Sequence, residues 1–214
     1  MNVNEKFVIT INRELGSGGR TVGQKLAEKL GVPFYDKALI KALQEKYKLN
    51  VDEIEKLKGS NHSWWADFKR TMALGYKMDE AKYYQVSLGG EPDLLTTEDI
   101  FNAEQEILKG IAADESCIIA GRSGFFVFRN HPNRLSILIQ ASKEFRVARV
   151  ARKQGITPEE AAKIIDKVDK MRENYVNRFS KTSRYDTRNY DLVISADGKT
   201  EDEIADFILK YIGK

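Results

Sequence analysis

A run of glycines after a short β-branched segment carries the clearest chemical signal in this sequence. Residues 14–21 read Glu-Leu-Gly-Ser-Gly-Gly-Arg-Thr. The backbone N–H groups of such a loop can surround a phosphate, and a helix starting there adds a favourable dipole. Gly19 and Thr21 match the phosphate-loop pattern G-x-x-x-x-G-K-[ST], whereas Glu14 replaces its first glycine and Arg20 its lysine. We predict phosphate binding here; a glycine-rich turn without a ligand is the alternative.

Three side chains around this loop could hold a phosphate and its metal ion. Arg20 would offer a planar fork of donors where lysine offers a compact point charge, so it could neutralise phosphate from a different place. The Thr21 hydroxyl is predicted to bind Mg²⁺. Arg13, at the end of the preceding segment, is a second candidate phosphate contact. A solvated loop charge is an equally good interpretation of Arg13.

Further arginines recur later in the chain. Arg122 follows a buried segment, and ligands of open α/β sheets bind at the edge where it would lie. An ion pair with a neighbouring carboxylate is the alternative for Arg122. Two basic helical stretches could close over a transferring phosphoryl group and stabilise its charge, through Arg146, Arg149 and Lys153 on the first and Asp169 and Arg172 on the second. The alternative is an ordinary solvated basic face.

The pattern of apolar residues predicts the elements that must position these groups. Residues 7–12 and 32–35 indicate strands, residues 22–30 indicate a helix, and Asp36 is a good N-cap for the next helix. Strands that alternate with helices predict a parallel sheet with helical crossovers. Further strands are predicted at 117–120, 134–140 and 190–195, and further helices from about 97 to 111, 142 to 154, 157 to 178 and 200 to 211.

The predicted organisation is a single domain over residues 1–214. Its core covers 1–48 and 96–214, a helical insertion covers about 49–95, and a lid covers about 142–185. The formal net charge of +3 is unevenly distributed. Residues 1–50 carry +4 and residues 143–188 carry +6, whereas residues 51–116 carry −7. This distribution suggests that the basic segments bind an anion, and we expect no triphosphate contact in the insertion.

Composition excludes several classes of protein. Hydrophobic residues make up 42% of the 214, enough for a packed core. No apolar run approaches the roughly 18 residues of a membrane span, and no signal peptide is visible. A single cysteine, Cys117, rules out an internal disulfide and favours a reducing compartment, so we expect a cytoplasmic protein.

Taken in order, these features resemble the cytidylate-kinase-like branch of the nucleoside monophosphate kinases. The resemblance runs from about residue 8 to residue 208 and rests on the order of several short motifs: the glycine loop, Phe34-Tyr-Asp36, Gly121-Arg122, residues 141–146, Asp169-Lys-Met-Arg172 and residues 190–194. It implies a P-loop kinase fold of the α/β class. That fold has three α/β/α layers on a five-stranded parallel sheet, a helical insertion that binds the monophosphate, and a helical lid.

The resemblance also implies site residues. ATP would bind the loop formed by Gly16, Ser17, Gly18, Gly19, Arg20 and Thr21, with Mg²⁺ at Thr21. The monophosphate would contact Asp36, Lys41, Arg122, Asp169 and Arg172. The groups acting on the transferred phosphoryl would be Arg20, Arg146, Arg149 and Arg172.

Several positions depart from the family pattern. The loop lysine is replaced by Arg20, and a serine expected after Asp36 is replaced by Lys37. An expected arginine is replaced by Ala42, beside Lys41, and another by Ile165. These changes weaken the recognition of cytosine and of the CMP phosphate more than they weaken the fold assignment.

We expect an ATP-dependent kinase that phosphorylates a nucleoside monophosphate, with CMP or dCMP as the leading acceptor. Two alternatives are a nucleotide-binding module with weakened or lost catalysis and a P-loop kinase for another small molecule. Nucleic-acid binding by the basic helices is a third, but the near-balanced total charge argues against it. We therefore expect neither a nucleic-acid nor a membrane partner, and the sequence leaves the oligomeric state open.

Overall fold

The structure, a computed structural model, describes residues 1–36 and 98–214. The predicted insertion at about 49–95, the helix predicted after Asp36, and Lys41 lie outside the described residues, so the division into core, insertion and lid stays a prediction. The described elements are β1 (Val8–Arg13), α1 (Gly19–Leu30), β2 (Phe34–Asp36), α2 (Glu98–Asp114), β3 (Cys117–Ala120), α3 (Gly124–Val127), β4 (Arg134–Gln140), α4 (Lys143–Gln154), α5 (Pro158–Ser180), β5 (Leu192–Ser195) and α6 (Glu201–Tyr211).

The strands form one parallel sheet with the order β2-β3-β1-β4-β5. In the central strand β1, Ile9 lies opposite Ile118 of β3 and Leu135 of β4. Strand β2 lies on the β3 side of β1, and after β3 the chain crosses to the other side. Such a reversal places the ligand crevice of an open α/β sheet at the carboxyl ends of the strands around it. The predicted five-stranded parallel α/β fold is confirmed.

Alternate residues of the strands face two separate helical layers. On one side, α1 and α6 pack on a cluster that includes Ile9, Ile11, Ile118, Ile137, Leu26 and Ile208. On the other side, α2 packs on Val8, Ile119 and Cys117 through Ile107 and Ile111. Burial raises the pKa of the Cys117 thiol to about 12, so this thiol stays neutral within the sheet.

Two strands begin two residues later than the sequence pattern predicts. Strand β2 begins at Phe34, because Pro33 has no N–H to donate to a neighbouring strand. Strand β5 begins at Leu192, because Tyr190 ends a 3₁₀ turn at Thr187–Asn189 and donates its N–H to the Thr187 carbonyl at 3.1 Å.

Helices α4 and α5 form an antiparallel pair, here called the hairpin (residues 143–180). The Ser142 hydroxyl caps α4, and Thr157 and Glu160 form the predicted capping box of α5. Hydrogen bonds from the Thr157 N–H and hydroxyl lower the pKa of the Glu160 carboxyl.

Within residues 1–36 and 98–214, no helix is both long enough and apolar enough to cross a membrane.

The hairpin is packed onto the β1–α1 loop through one apolar side chain. Leu15, which is 3% exposed, lies in a cluster formed by the hairpin residues Val150, Ala161, Ile165 and Val168. Ile165, where the family pattern has an arginine, is therefore a core residue at 1% exposure. The loop and the hairpin share one small core.

We expect Leu15→Ala to lower the free energy of unfolding by about 2–5 kcal/mol, because the change removes buried methyl groups and leaves a cavity between loop and hairpin. Urea titration followed by circular dichroism measures this loss. Phe207→Ala is the matched control: Phe207 is 52% exposed on α6, and a change there stays within about 0.5 kcal/mol. Equal, small effects of both changes would contradict the packing described.

Candidate functional site

The β1–α1 loop lies at the carboxyl edge of the sheet, where ligands of this fold class bind. Gly16 and Gly18 have φ values of 88° and 81°, in the left-handed region that favours glycine. Gly18 is the N-cap of α1, and no N-cap side chain accepts a hydrogen bond from the first turn. The first N–H groups of a helix also have no partner within the helix. The loop backbone is therefore arranged to present donors to an anion.

Two glycines at this edge of the sheet, Gly19 and Gly121, pack closely against Arg13. A Cβ atom on Gly19 would lie 2.6 Å from the Arg13 Cβ, and one on Gly121 would collide with the Arg13 Nη1. The Arg13 side chain, 7% exposed, thus passes between the start of α1 and the turn after β3. On the other side of the loop, a Cβ on Gly16 would lie 2.8 Å from the Arg146 carbonyl oxygen.

Glu14, which replaces the first glycine of the pattern, ties the loop to the start of α4. Its carboxylate accepts a hydrogen bond from the Ala141 N–H at 3.0 Å and lies 3.6 Å from the Arg146 Nε. Its carbonyl accepts the Ser17 hydroxyl at 3.0 Å. The charge of Glu14 is therefore balanced within the chain, and the Ser17 hydroxyl is used to shape the loop.

Asp169 is the centre of a buried polar cluster behind the loop. Its carboxylate accepts the Leu15 N–H at 3.0 Å and pairs with the Arg146 Nη1 at 2.6 Å. Nη1 atoms of Arg172 and Arg184 lie 3.5 and 3.6 Å from the same carboxylate. Since Asp169 is only 8% exposed, this one carboxylate joins the loop, the hairpin and the segment after it.

Arg184 follows the hairpin and is fully buried, at 0% exposure. It donates hydrogen bonds to the carbonyls of Arg13 and Asp169. The Tyr190 hydroxyl donates to the Arg184 carbonyl at 2.7 Å and accepts from the Asn12 amide. Burial raises the pKa of Tyr190 to about 12, which keeps this hydroxyl protonated. Arg184 therefore locks the end of β1 to the chain after the hairpin.

Arg20 turns from the loop towards β2. Its Nε donates to the Asp36 Oδ2 at 2.7 Å, and its guanidinium lies 6.0 Å from the centre of the Phe34 ring. The two charged side chains are 12% and 5% exposed. The structure thus joins two residues that the sequence analysis assigned to different ligands.

Arg122 lies in the turn after β3, in an ion pair with Glu104 of α2 in which both side chains are buried. Glu104 also accepts the Tyr175 hydroxyl at 2.9 Å, and the Arg122 guanidinium lies 4.7 Å from the Tyr175 ring centre. Arg122 and Ser123 both have a φ of 52°, which is uncommon for residues other than glycine. The ion pair that the sequence analysis offered as an alternative is present.

Arg149 and Arg172 reach the loop from the hairpin. Arg149 pairs with Glu201 in the first turn of α6, and Arg172 donates to the Arg13 carbonyl at 3.3 Å. A small open pocket is lined by Arg13, Glu14, Leu15, Gly16, Gly18, Gly19, Arg20, Thr21, Arg149 and Arg172. Asp36, Arg122, Arg146, Asp169 and Ser17 lie outside this lining.

The described residues fit a polyphosphate with a magnesium ion. Besides the glycine loop, Arg149 lines the pocket and keeps a buried Nε without a hydrogen-bond partner. In residues 1–36 and 98–214 no group of three or more His, Cys, Asp or Glu side chains could hold a metal ion. Mg²⁺ bound by the Thr21 hydroxyl, phosphate oxygens and water needs no such group.

Three residues of this site, Glu104, Arg184 and Glu201, were not predicted from the sequence. Glu104 had a signal, because it lies three residues after Phe101 and four before Leu108 on an apolar helix face. Glu201 looked like an ordinary acidic residue in the first turn of a helix. Arg184 lies in a segment without periodicity and had no signal.

Solved structures share this fold along almost the whole chain. An uncharacterized protein from Eubacterium ventriosum is 26% identical, with a TM-score of 0.68 over 96% of this chain and 98% of that one. Shikimate kinase from Bacteroides thetaiotaomicron is 15% identical, with a TM-score of 0.51 over 97% and 99%. A gluconokinase from Sinorhizobium meliloti is 14% identical, with a TM-score of 0.51 over 97% and 91%. The two kinases establish the fold alone.

A search of the curated proteins found no match. The sequence profile of the cytidylate kinase-like family matches residues 8–197, a range that begins with β1 and includes the loop, the hairpin and β5. This confirms the resemblance drawn from the motifs. The chain is a kinase-like protein that belongs to the cytidylate kinase-like family.

Proposed function

We propose that this protein transfers the γ-phosphoryl group of ATP to a nucleoside monophosphate, with CMP or dCMP as the leading acceptor. One observation carries the proposal: arginines from β1, from the first turn of α1 and from the hairpin line one pocket together with a glycine loop at a single edge of the sheet. Phosphoryl transfer depends on fixed positive charge and on positioning, and it needs no covalent enzyme intermediate.

The loop side of the site is proposed to bind ATP. Bound ATP would supply the phosphoryl group, and Mg²⁺ would neutralise part of its charge. The N–H groups at the start of α1 would bind the phosphates, and the Thr21 hydroxyl would bind the metal ion. Arg149 and Arg172 also line the pocket, where they would stabilise charge during in-line transfer.

Arg146 is proposed to act by positioning. Its Nη1 pairs with Asp169 at 2.6 Å and lies 3.5 Å from the Leu15 carbonyl oxygen, and its backbone touches Gly16. These contacts hold the loop from behind. They support an indirect role for Arg146 in phosphoryl transfer.

The acceptor side is proposed to be built around Arg122 and Arg172. Arg122 keeps a buried Nε without a hydrogen-bond partner, although Glu104 balances its charge. Such a donor supports a contact with an acceptor phosphate. Asp36 pairs with Arg20 and Asp169 lies close to Arg172. We propose that these carboxylates orient Arg20 towards the transferred phosphoryl group and Arg172 towards the acceptor. Lys41 is proposed to contribute from outside the described residues.

A second candidate is a nucleotide-binding module with weak catalysis. The ion pair at 2.7 Å between Arg20 and Asp36 favours it, because the charge that replaces the loop lysine is already neutralised. In this case ATP would bind and turnover would be slow.

A coupled assay separates these functions. Purified full-length protein is given ATP and Mg²⁺ with each nucleoside monophosphate in turn, and then with small alcohols, since a shikimate kinase and a gluconokinase share the fold. ADP formation that depends on CMP or dCMP supports the proposal. ADP formed only with an alcohol indicates a kinase for another small molecule, and ATP binding without ADP formation indicates the module.

Arg20→Ala tests the residue at the position of the loop lysine. We expect kcat/KM for the acceptor to fall about 10²- to 10³-fold, as for the removal of one fixed donor from a transition state. Lys25→Ala is the control, because Lys25 lies on the same helix in an exposed pair with Asp202 and leaves turnover unchanged. Normal turnover of a folded Arg20→Ala protein would exclude this role.

Arg122→Gln tests the acceptor side. We expect KM for the monophosphate to rise about 10- to 100-fold, because a buried charged donor is lost, while KM for ATP stays within about twofold. Arg129→Gln is the control, since Arg129 stacks on Phe126 at the surface. The double change with Glu104→Gln removes the uncompensated buried carboxylate and preserves folding. Equal increases of both KM values in the double variant would contradict the assignment.

A further inference from the structure

We infer that Glu201, in the first turn of α6, sets the anion affinity of the phosphate loop by competing with bound phosphate for Arg149. The inference rests on the proposed function of the loop, and it assigns a role to a residue outside the pocket lining. Its basis is the position of one carboxylate relative to the loop and to one arginine.

Arg149 and Glu201 form an ion pair. The two side chains are 10% and 25% exposed, so the arginine is the more deeply placed partner. Arg149 comes from the hairpin and Glu201 from the last helix, and they meet at the loop. An ion pair at this depth is screened less by salt than a pair on the open surface.

Glu201 and Arg149 both lie close to Gly18, the N-cap of α1. A Cβ atom on Gly18 would lie 3.3 Å from the Glu201 Oε1 and 3.6 Å from the Arg149 Cζ. A negative charge therefore lies beside the end of α1 that attracts anions. It repels an incoming polyphosphate, and it also holds the guanidinium that would otherwise attract one.

Arg149 also keeps a hydrogen-bond donor that no described residue uses. Its Nε is buried without a hydrogen-bond partner, while a terminal nitrogen holds Glu201. An anion in the pocket can engage this donor and then replace Glu201, whose carboxylate is the more exposed partner and can turn into water. Glu201 thus keeps Arg149 over the loop in the absence of an anion and weakens the binding of one.

The test compares Glu201→Gln with Asp202→Asn in the full-length protein. Asp202 is the next acidic residue of the same helix turn, 56% exposed and paired with Lys25. Calorimetry measures the Kd of inorganic tripolyphosphate and of ATP at about 50 mM and about 500 mM NaCl. We expect Glu201→Gln to bind both about tenfold more tightly at low salt, with the gain reduced but still measurable at high salt. Asp202→Asn changes either Kd less than about twofold.

Arg149→Gln shows whether Glu201 acts through Arg149. In that background the gain from Glu201→Gln falls below about threefold, since the shared partner is gone. The inference is overturned if Glu201→Gln binds no more tightly than the wild-type protein, or if its gain is independent of salt. It is also overturned if neither protein binds ATP or tripolyphosphate, a result that excludes the proposed function as well. If Glu201→Gln binds tripolyphosphate more tightly than the wild-type protein but no acceptor is phosphorylated, the inference is supported and only the proposed kinase activity is excluded.

Discussion

The arginines buried beside the β1–α1 loop need negative charge close to them, because an unpaired buried guanidinium is costly. Asp169 meets this need for the hairpin, since Arg146 pairs with it and Arg172 and Arg184 lie close to it. The same carboxylate accepts the Leu15 N–H, so the charge balance and the position of the loop depend on one side chain. The docking of the hairpin through Leu15 follows from this arrangement.

The same rule recurs around the site. Four arginines of the candidate site each have a carboxylate partner within the chain: Asp36 for Arg20, Glu104 for Arg122, Asp169 for Arg146 and Glu201 for Arg149. An anion that enters must compete with these partners or use the donors they leave open. Selectivity between anions can thus depend on which of these ion pairs a ligand is able to break, and not on the positive charge of the site alone.

Sequence periodicity and helix caps sufficed to predict most elements, because both are local. The capping box at Thr157 and Glu160 and the apolar runs of β1, β3 and β4 are examples. The carboxylate partners were not predictable in this way, because they lie on other elements: Asp36 is 16 residues from Arg20, and Glu104 is 18 from Arg122. Ile165 was noticed only as a lost arginine, since nothing local indicates that it faces Leu15.

The passage of Arg13 between Gly19 and Gly121 constrains how this chain can diverge. As long as the long side chain occupies that space, a larger residue at either glycine collides with it. A short side chain at position 13 gives room at Gly121, where the contact is with the guanidinium, although Gly121 retains its left-handed backbone at a φ of 84°. Gly19 stays restricted, because its nearest contact is the Cβ atom of residue 13. Substitutions at positions 13 and 121 are therefore order-dependent, and an exchange tolerated in one relative can be harmful when it is introduced alone into another.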